Sequence, residues 1–153
     1  MMRVLFVCLG NICRSPLAEG ILRHKAAQLG LEIEVDSCGT AAYHIGELPD
    51  TRSMDVAEKN GVDLSNLRAR QFDAGDFEIF DYILVMDKQN QADVLQLASA
   101  DHHRAKVHLF LEVYGNSGSK EVPDPYYGGE DGFVKVYEML DRACDRFLSQ
   151  VEA

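Results

Sequence analysis

Val7-Cys8-Leu9-Gly10-Asn11-Ile12-Cys13-Arg14-Ser15-Pro16 joins an apolar run, Val4-Leu5-Phe6-Val7, to a segment with helical periodicity. The apolar run reads as a short buried strand. A cysteine therefore stands at the end of a strand, and an arginine follows six positions later where a helix begins. Between them Gly10 and Asn11 both tolerate positive φ. A segment of this kind curls so that successive backbone N–H groups point inward. With a helix N-terminus at its base, the concavity is an anion site suited to a phosphate-like group. The same field favours a thiolate at Cys8, the nucleophilic form of the side chain. Arg14 adds a planar fork of donors for two phosphate oxygens. The stretch thus offers a nucleophile, an oxyanion cradle over Leu9, Gly10, Asn11, Ile12, Cys13, Arg14 and Ser15, and a charge clamp.

The chain has 153 residues, of which 46% are hydrophobic. That length favours a single domain, 1–153, with a sizeable core. No apolar run approaches a membrane span, and no small-residue cleavage site follows the first strand, so no signal peptide is expected. The cysteines fall at 8, 13, 38 and 144. They make no disulfide framework, and a reducing, cytoplasmic setting is expected. The formal net charge of −10 argues against nucleic acid or an anionic membrane as the main partner. An acidic chain that binds phosphate must do so by local geometry.

Outward from the opening stretch, Pro16 suits the first helical position with Ser15 as its N-cap. Leu17, Ile21, Leu22, Ala26 and Leu29 then form a helical stripe that Gly30 ends. Residues 31–37 alternate as a half-buried strand. Strand, helix, strand in this span is a βαβ unit, parallel and right-handed. Ser37-Cys38-Gly39-Thr40 opens a loop to Pro49, and Asp50 caps a helix to about Lys59. Residues 62–76 are irregular, with a helical turn at 73–78. Tyr82–Met86 is a third strand, Asp87 caps a further helix, and Val107–Phe110 is a fourth strand. A Gly/Pro/Ser/Asp-rich loop covers 114–132, of a length that is often functional. A last helix runs from about Gly132 to Val151. The fold class is α/β: one three-layer domain, a four-stranded parallel sheet with helices on both faces, and a phosphate-binding loop after strand 1. Ligands in such folds bind beyond the carboxyl ends of strands, where Cys8 sits.

An isolated cysteine is more often an inert buried thiol. The glycine, the asparagine, the arginine and the helix start around Cys8 reverse that reading in favour of a nucleophile. Its thiolate attacks phosphorus in line, while the loop amides and Arg14 meet the charge of the transition state. The leaving group then needs a proton. In Val122-Pro123-Asp124-Pro125-Tyr126-Tyr127, Asp124 is fenced by two prolines that stiffen its backbone. On its own it reads as an Asx-turn residue. Beside a nucleophile it is the best general-acid candidate, and it would later deprotonate the hydrolytic water. Tyr126 and Tyr127 either line an aromatic slot or pack the loop down.

These two motifs together resemble the low-molecular-weight protein tyrosine phosphatase family. The likeness runs on through Ser37–Thr40, Gly46 with Pro49-Asp50, Ala69-Arg70-Gln71 and Phe80–Asp87, nearly the whole chain. It implies a metal-independent, cofactor-free hydrolase with Cys8 as nucleophile, Arg14 as phosphate clamp and Asp124 as general acid and base. It implies that Asn11 holds the loop through hydrogen bonds with Ser37, and that the Ser15 hydroxyl stabilises the Cys8 thiolate. It further implies Leu9, Tyr43, Tyr126 and Tyr127 as walls of a phosphotyrosine slot. One departure stands out: many relatives carry histidine two residues before the Ala-Arg-Gln, where this chain has Leu67. Cys13 is either a small loop residue or, as in relatives with the same pair, the redox partner of Cys8 in a reversible disulfide. Implied partners are phosphotyrosine-containing proteins, a tyrosine kinase among them, with no nucleic acid or membrane and a monomer or weak dimer.

Other features read more plainly. Cys38 and Cys144 are packing residues. Asp101-His102-His103 resembles a metal phosphoesterase tripeptide, but without the supporting acidic motifs it reads as a solvated connector, and no metal is expected. His44 reads as a surface-loop residue near the pocket rim. Two relatives by fold are alternatives. Arsenate reductases need a further cysteine pair, and residues 39–143 hold none. Protein arginine phosphatases carry Thr where this chain has Ile12. A non-catalytic phosphate-binding module is disfavoured by the presence of both Cys8 and Asp124.

Overall fold

A computed structural model describes residues 1–115, 118–126 and 129–152. Four strands, β1 (Met2–Cys8), β2 (Ile33–Gly39), β3 (Tyr82–Val85) and β4 (Val107–Leu109), form one parallel sheet in the order β2-β1-β3-β4. Seven helices are described: α1 (Arg14–Gln28), α2 (Thr51–Lys59), α3 (Asp76–Ile79), α4 (Lys88–Gln96), α5 (Asp101–Arg104), α6 (Phe110–Tyr114) and α7 (Glu130–Glu152). No helix among the described residues is long and apolar enough to cross a membrane.

The pleat of β1 divides the core. Val4, Phe6 and Cys8 face a cluster with Leu17, Ile21 and Leu22 of α1, Val56 and Ala57 of α2, Phe110 and Tyr114 of α6, and Phe133, Leu140 and Phe147 of α7. Leu5 and Val7 face the other side, with Phe77 of α3, Val94 of α4, and Ile83 and Val85 of β3. Both faces of the sheet are covered, which is why the central strands β1 and β3 hold near-continuous apolar runs, while the edge strands β2 and β4 keep polar residues. Each large side chain so buried contributes about 1.5–3 kcal/mol. From β1 the chain moves outward to β2 on one side, and β3 and β4 lie on the other. The order reverses between β1 and β3, so a crevice opens at their carboxyl ends. Cys8 ends β1, and Asp87 follows β3 after Met86.

Several local expectations change. The first helix begins at Arg14 with Cys13 at the N-cap position, and no side chain caps it. Ser15 is thus inside the helix, and its hydroxyl is spent elsewhere. Residues Arg14–Leu22 are buried on every side rather than along one stripe, because α1 is enclosed by the sheet, α2, α7 and the segment around Val62 and Leu64. A Cβ on Gly20 would stand 2.3 Å from Leu64 Cδ2. The second strand runs Ile33–Gly39 instead of 31–37, since pairing with β1 carries it to the rim of the crevice. The fourth strand ends at Leu109, and Phe110, Leu111 and Tyr114 turn into α6. The helical spacing of those residues is concealed within one apolar run. The last helix starts two residues early, at Glu130. The Asp50 and Asp87 caps are in place: Asp50 accepts from Arg52 N, and Asp87 forms a capping box with Asn90.

Candidate active site

Residues 9–13 bridge β1 and α1 as a loop tied down on both sides. From the β2 side, Thr40 N–H donates to Cys8 O (2.9 Å) and Ala41 N–H to Leu9 O (3.0 Å). From the α2 side, Asp50 N–H donates to Ile12 O (2.8 Å) and Ser53 Oγ to Cys13 O (3.3 Å). Asn11 has φ +59°, the only positive value at a non-glycine among the described residues. That conformation costs an L-residue roughly 1–2 kcal/mol. Its side chain offsets the cost: Nδ2 donates to Ser15 Oγ (2.8 Å) and Ser37 Oγ (2.9 Å), and Oδ1 accepts from Arg70 N–H (3.0 Å). Both amide protons are used, and the network closes with no histidine in it. Ser37 passes its own proton to Glu19 Oε1 (2.6 Å), a carboxyl only 3% exposed. Leu67 is half-buried against the core.

Cys8 Sγ receives Asn11 N–H at 3.2 Å and lies 2.9 Å from Ser15 Oγ. The Ser15 hydroxyl has one proton and two acceptors, Sγ and Cys38 O (3.3 Å). It can donate to a thiolate and swing to the carbonyl when the sulfur is protonated or bonded. The uncapped N-terminus of α1 supplies positive potential to the same spot.

Arg14 is buried, and Nη1 donates to Asp87 Oδ2 (2.7 Å) and Val122 O (3.0 Å). Nη2 stands 3.7 Å from Asp124 Oδ2. Burial opposes the guanidinium charge, but Cys8, Asp87 and Asp124 outweigh it and raise the Arg14 pKa above its ordinary value. The chain around Asp124 is pinned at Val122, whose N–H donates to Met86 O (2.8 Å). Asp124 Oδ1 accepts Tyr126 N–H (3.1 Å), so the Asx turn exists and leaves Oδ2 facing the arginine. The two readings of this aspartate are compatible.

Cys8, Leu9, Gly10, Ile12, Cys13, Arg14, Tyr43, His44, Asp124 and Tyr126 line one pocket of about 250 Å³. Leu9, Tyr43 and Tyr126 are exposed at its mouth. Tyr127 lies outside the described residues. His44 is closer in than a surface-loop reading allows: a Cβ on Gly10 would meet its ring at 3.0 Å, and its Nδ1 pairs with Glu47 (2.9 Å). Cys13 is buried, and its thiol is pushed up to about 12, first by burial and then by Asp50, Cys8 and Asp124. Cys38 and Cys144 are fully buried in the two core clusters, and burial pushes both thiols up.

Three residues of this site escape a reading of the chain. Asp87 shows there only as a helix cap, although it also orients Arg14. Glu19 lies on a helix read for its apolar stripe; a carboxylate four residues after Ser15 is the available signal. Arg52 pairs with Asp50 two positions back, a short-range pattern that says nothing of its aromatic neighbours.

Glu78, His102 and His103 form the one set of metal-ligating groups found among the described residues. His103 is buried and stacks on Phe77 (4.7 Å between centroids), so of the solvated connector expected only Asp101 and His102 face solvent, and the segment is the helix α5. Ser99 N–H donates to His103 Nδ1 (3.2 Å), which leaves Nε2 protonated and donating to Glu78 Oε1 (2.5 Å). A metal at Nε2 would have to displace that proton while Nδ1 still accepts. The set is occupied as a hydrogen-bonded cap on α3 and α5.

The family model described as low molecular weight phosphotyrosine protein phosphatase matches residues 3–153. A low molecular weight phosphotyrosine protein phosphatase from Schizosaccharomyces pombe is 45% identical over 152 residues, covering 97% of this chain and 96% of its own. One of the same description from Gallus gallus is 41% identical over 150 residues, covering 96% and 94%. A crystal structure of a protein tyrosine phosphatase from Entamoeba histolytica, with Hepes in its active site, superposes with a TM-score of 0.94 at 36% identity, covering 99% of this chain and 97% of its own.

Proposed function

The chain belongs to the low-molecular-weight phosphotyrosine protein phosphatase family, and we propose that residues 1–153 form one catalytic domain that hydrolyses phosphotyrosine in proteins. The observation that carries the reading is the convergence of Cys8 Sγ, the Arg14 guanidinium and the Asp124 carboxyl on one pocket. Cys8 attacks phosphorus as the thiolate, forming an S–P bond while the P–O bond to tyrosine breaks. Asp124, protonated, gives its proton to the departing phenolate. Arg14 binds two phosphoryl oxygens through its free edge, and the α1 N-terminus faces the third. Asp124, now a carboxylate, takes a proton from water, whose oxygen attacks phosphorus. The S–P bond breaks, and inorganic phosphate and the thiolate return. Ser15 donates to the sulfur as it leaves. No step needs a metal or cofactor. The partners are phosphotyrosine-containing proteins, including a tyrosine kinase.

Ile12 presents an apolar side chain to the pocket, which supports phosphotyrosine over phosphoarginine. The test is hydrolysis of p-nitrophenyl phosphate and a phosphotyrosine peptide with chelator present. Activity should persist there, vanish in Cys8→Ser and fall strongly in Asp124→Ala. A metal requirement, unchanged turnover in Cys8→Ser, or a preference for phosphoarginine would overturn the reading.

Cys13 is the proposed redox partner. Its raised pKa keeps it a thiol at neutral pH, so it does not compete with Cys8 as nucleophile. Peroxide oxidises the Cys8 thiolate to sulfenic acid and is itself reduced to water. The Cys13 sulfur then displaces hydroxide from Cys8, which departs as water with the Cys13 proton, leaving a disulfide. Peroxide-treated Cys13→Ser should recover less activity with thiol than the parent; equal recovery would sink the assignment.

A further inference from the structure

We propose that Arg52 is a positioning residue for Asp124, an inference that rests on the reading of Asp124 as the general acid. An acid must bring its proton within about 2.6–3.2 Å of the leaving oxygen. Asp124, however, has a side chain 42% exposed, and among the described residues its own ties are the Tyr126 N–H and the 3.7 Å approach to Arg14. The residue that supplies that N–H also supplies a ring, and Arg52 holds the ring. The Arg52 guanidinium lies 5.5 Å from the centroid of Tyr126 and 4.5 Å from that of Phe133, a fully buried residue in the first turns of α7. Asp50 fixes the plane of the guanidinium by two bonds, Nε to Oδ1 and Nη2 to Oδ2, each 3.0 Å. Asp50 N–H in turn holds Ile12 O of the phosphate loop.

A continuous route therefore runs from Ile12 through Asp50, Arg52 and Tyr126 to Asp124. It joins the acid to the cradle by contacts separate from those of Arg14. Arg52 does not line the catalytic pocket; it faces a small cleft with Val56, Glu130 and Phe133. Direct contact with the substrate is not its role. A flat, delocalised cation suits the position because it can stack on two rings and donate a fork of bonds to one carboxylate, which an ammonium cannot do.

The experiment is kcat/KM for Arg52→Ala and Arg52→Lys over aryl phosphates whose leaving phenols range from strongly acidic to tyrosine-like. An acid matters most for the poorest leaving group. Arg52→Ala should lose roughly tenfold on phenyl phosphate but stay within about twofold of the parent on dinitrophenyl phosphate. Arg52→Lys should recover only part of that loss. In an Asp124→Ala background the Arg52 effect should disappear. A loss equal across all leaving groups, or no loss, would overturn the proposal, as would full rescue by lysine. The parent reading has its own signature: if Asp124→Ala alone leaves the leaving-group dependence unchanged, Asp124 is not the acid. If it steepens that dependence and Arg52→Ala does not, only the positioning role fails.

Discussion

The two arms of the site are built in opposite ways. The phosphate loop is sunk between β2, α1 and α2: Cys8, Asn11, Cys13 and Arg14 are each at most 5% exposed. Backbone bonds from Thr40, Ala41 and Asp50 hold its carbonyls, and a buried chain of side chains holds Asn11. The Asp124 arm is pinned at Val122 and again by the buried Pro125, and between and after these Asp124 and Tyr126 are both exposed. The contrast follows from the work each arm does. Charge develops on the phosphoryl oxygens at fixed points, so their donors gain most from being placed in advance. The acid must give a proton to one oxygen and later take one from a water arriving at the same spot, which requires access to solvent. Rigidity in the phosphate loop should therefore show in both stability and rate, whereas the acid arm should show in rate alone.

Gly39 offers the strongest way to break that distinction. A Cβ there would lie 2.6 Å from Leu9 O and 3.1 Å from Asn11 N. Both are backbone atoms of the phosphate loop, and neither can rotate away. Gly39→Ala should destabilise the protein by about 1–3 kcal/mol in urea unfolding. By displacing the loop it should also lower kcat/KM on a phosphotyrosine peptide by roughly 100-fold. A variant with native rates would mean that the loop is not set by its contact with β2.

Asp124→Asn sharpens the other half. The amide oxygen can still accept the Tyr126 N–H, so the turn survives, and the half-exposed side chain has little burial to lose. Unfolding free energy should stay within about 0.5 kcal/mol of the parent. The rate on phosphotyrosine should fall by roughly 10²-fold or more, because the proton donor is gone. A loss of stability like that expected for Gly39→Ala would show the acid arm to be part of the folded frame.

Legibility followed the same division. The phosphate loop was readable because its signals are local: Cys8, Gly10, Asn11 and Arg14 fall within seven residues, and their spacing carries the geometry. Asp124 became a candidate only once a nucleophile was in hand, since its local signal is that of a turn. The more distant groups that orient the site, Asp87 and Glu19, were not readable. Asp87 meets Arg14 across 73 positions, and Ser37 meets Glu19 across 18. Each has an adequate local explanation, a helix cap for one and a helical surface charge for the other, and only the packing of α1 against the sheet replaces it. The burial of α1 on all sides has the same origin. Its stripe was visible, but the segment at Val62–Leu64 that covers its second face was not.

Glu19 gives the smallest effect and the finest test of how the loop is braced without a histidine at position 67. Burial raises its pKa, and the Ser37 hydroxyl and Arg23 offset that only in part. A carboxyl whose folded pKa is raised favours the fold in its neutral form. Its contribution is fully present below the unfolded value, about 4.3, and is lost as pH rises through the folded value. Glu19→Gln is neutral throughout, and its amide oxygen can still accept from Ser37 Oγ, so Asn11 keeps all its partners. The parent's stability advantage over Glu19→Gln should therefore shrink between pH 4 and pH 7 in urea unfolding, while kcat/KM changes by less than about threefold. An advantage that grows with pH would show that Arg23 and Ser37 outweigh burial. The charged carboxylate would then be the brace of the loop, in place of a neutral hydrogen-bond acceptor that α1 has enclosed.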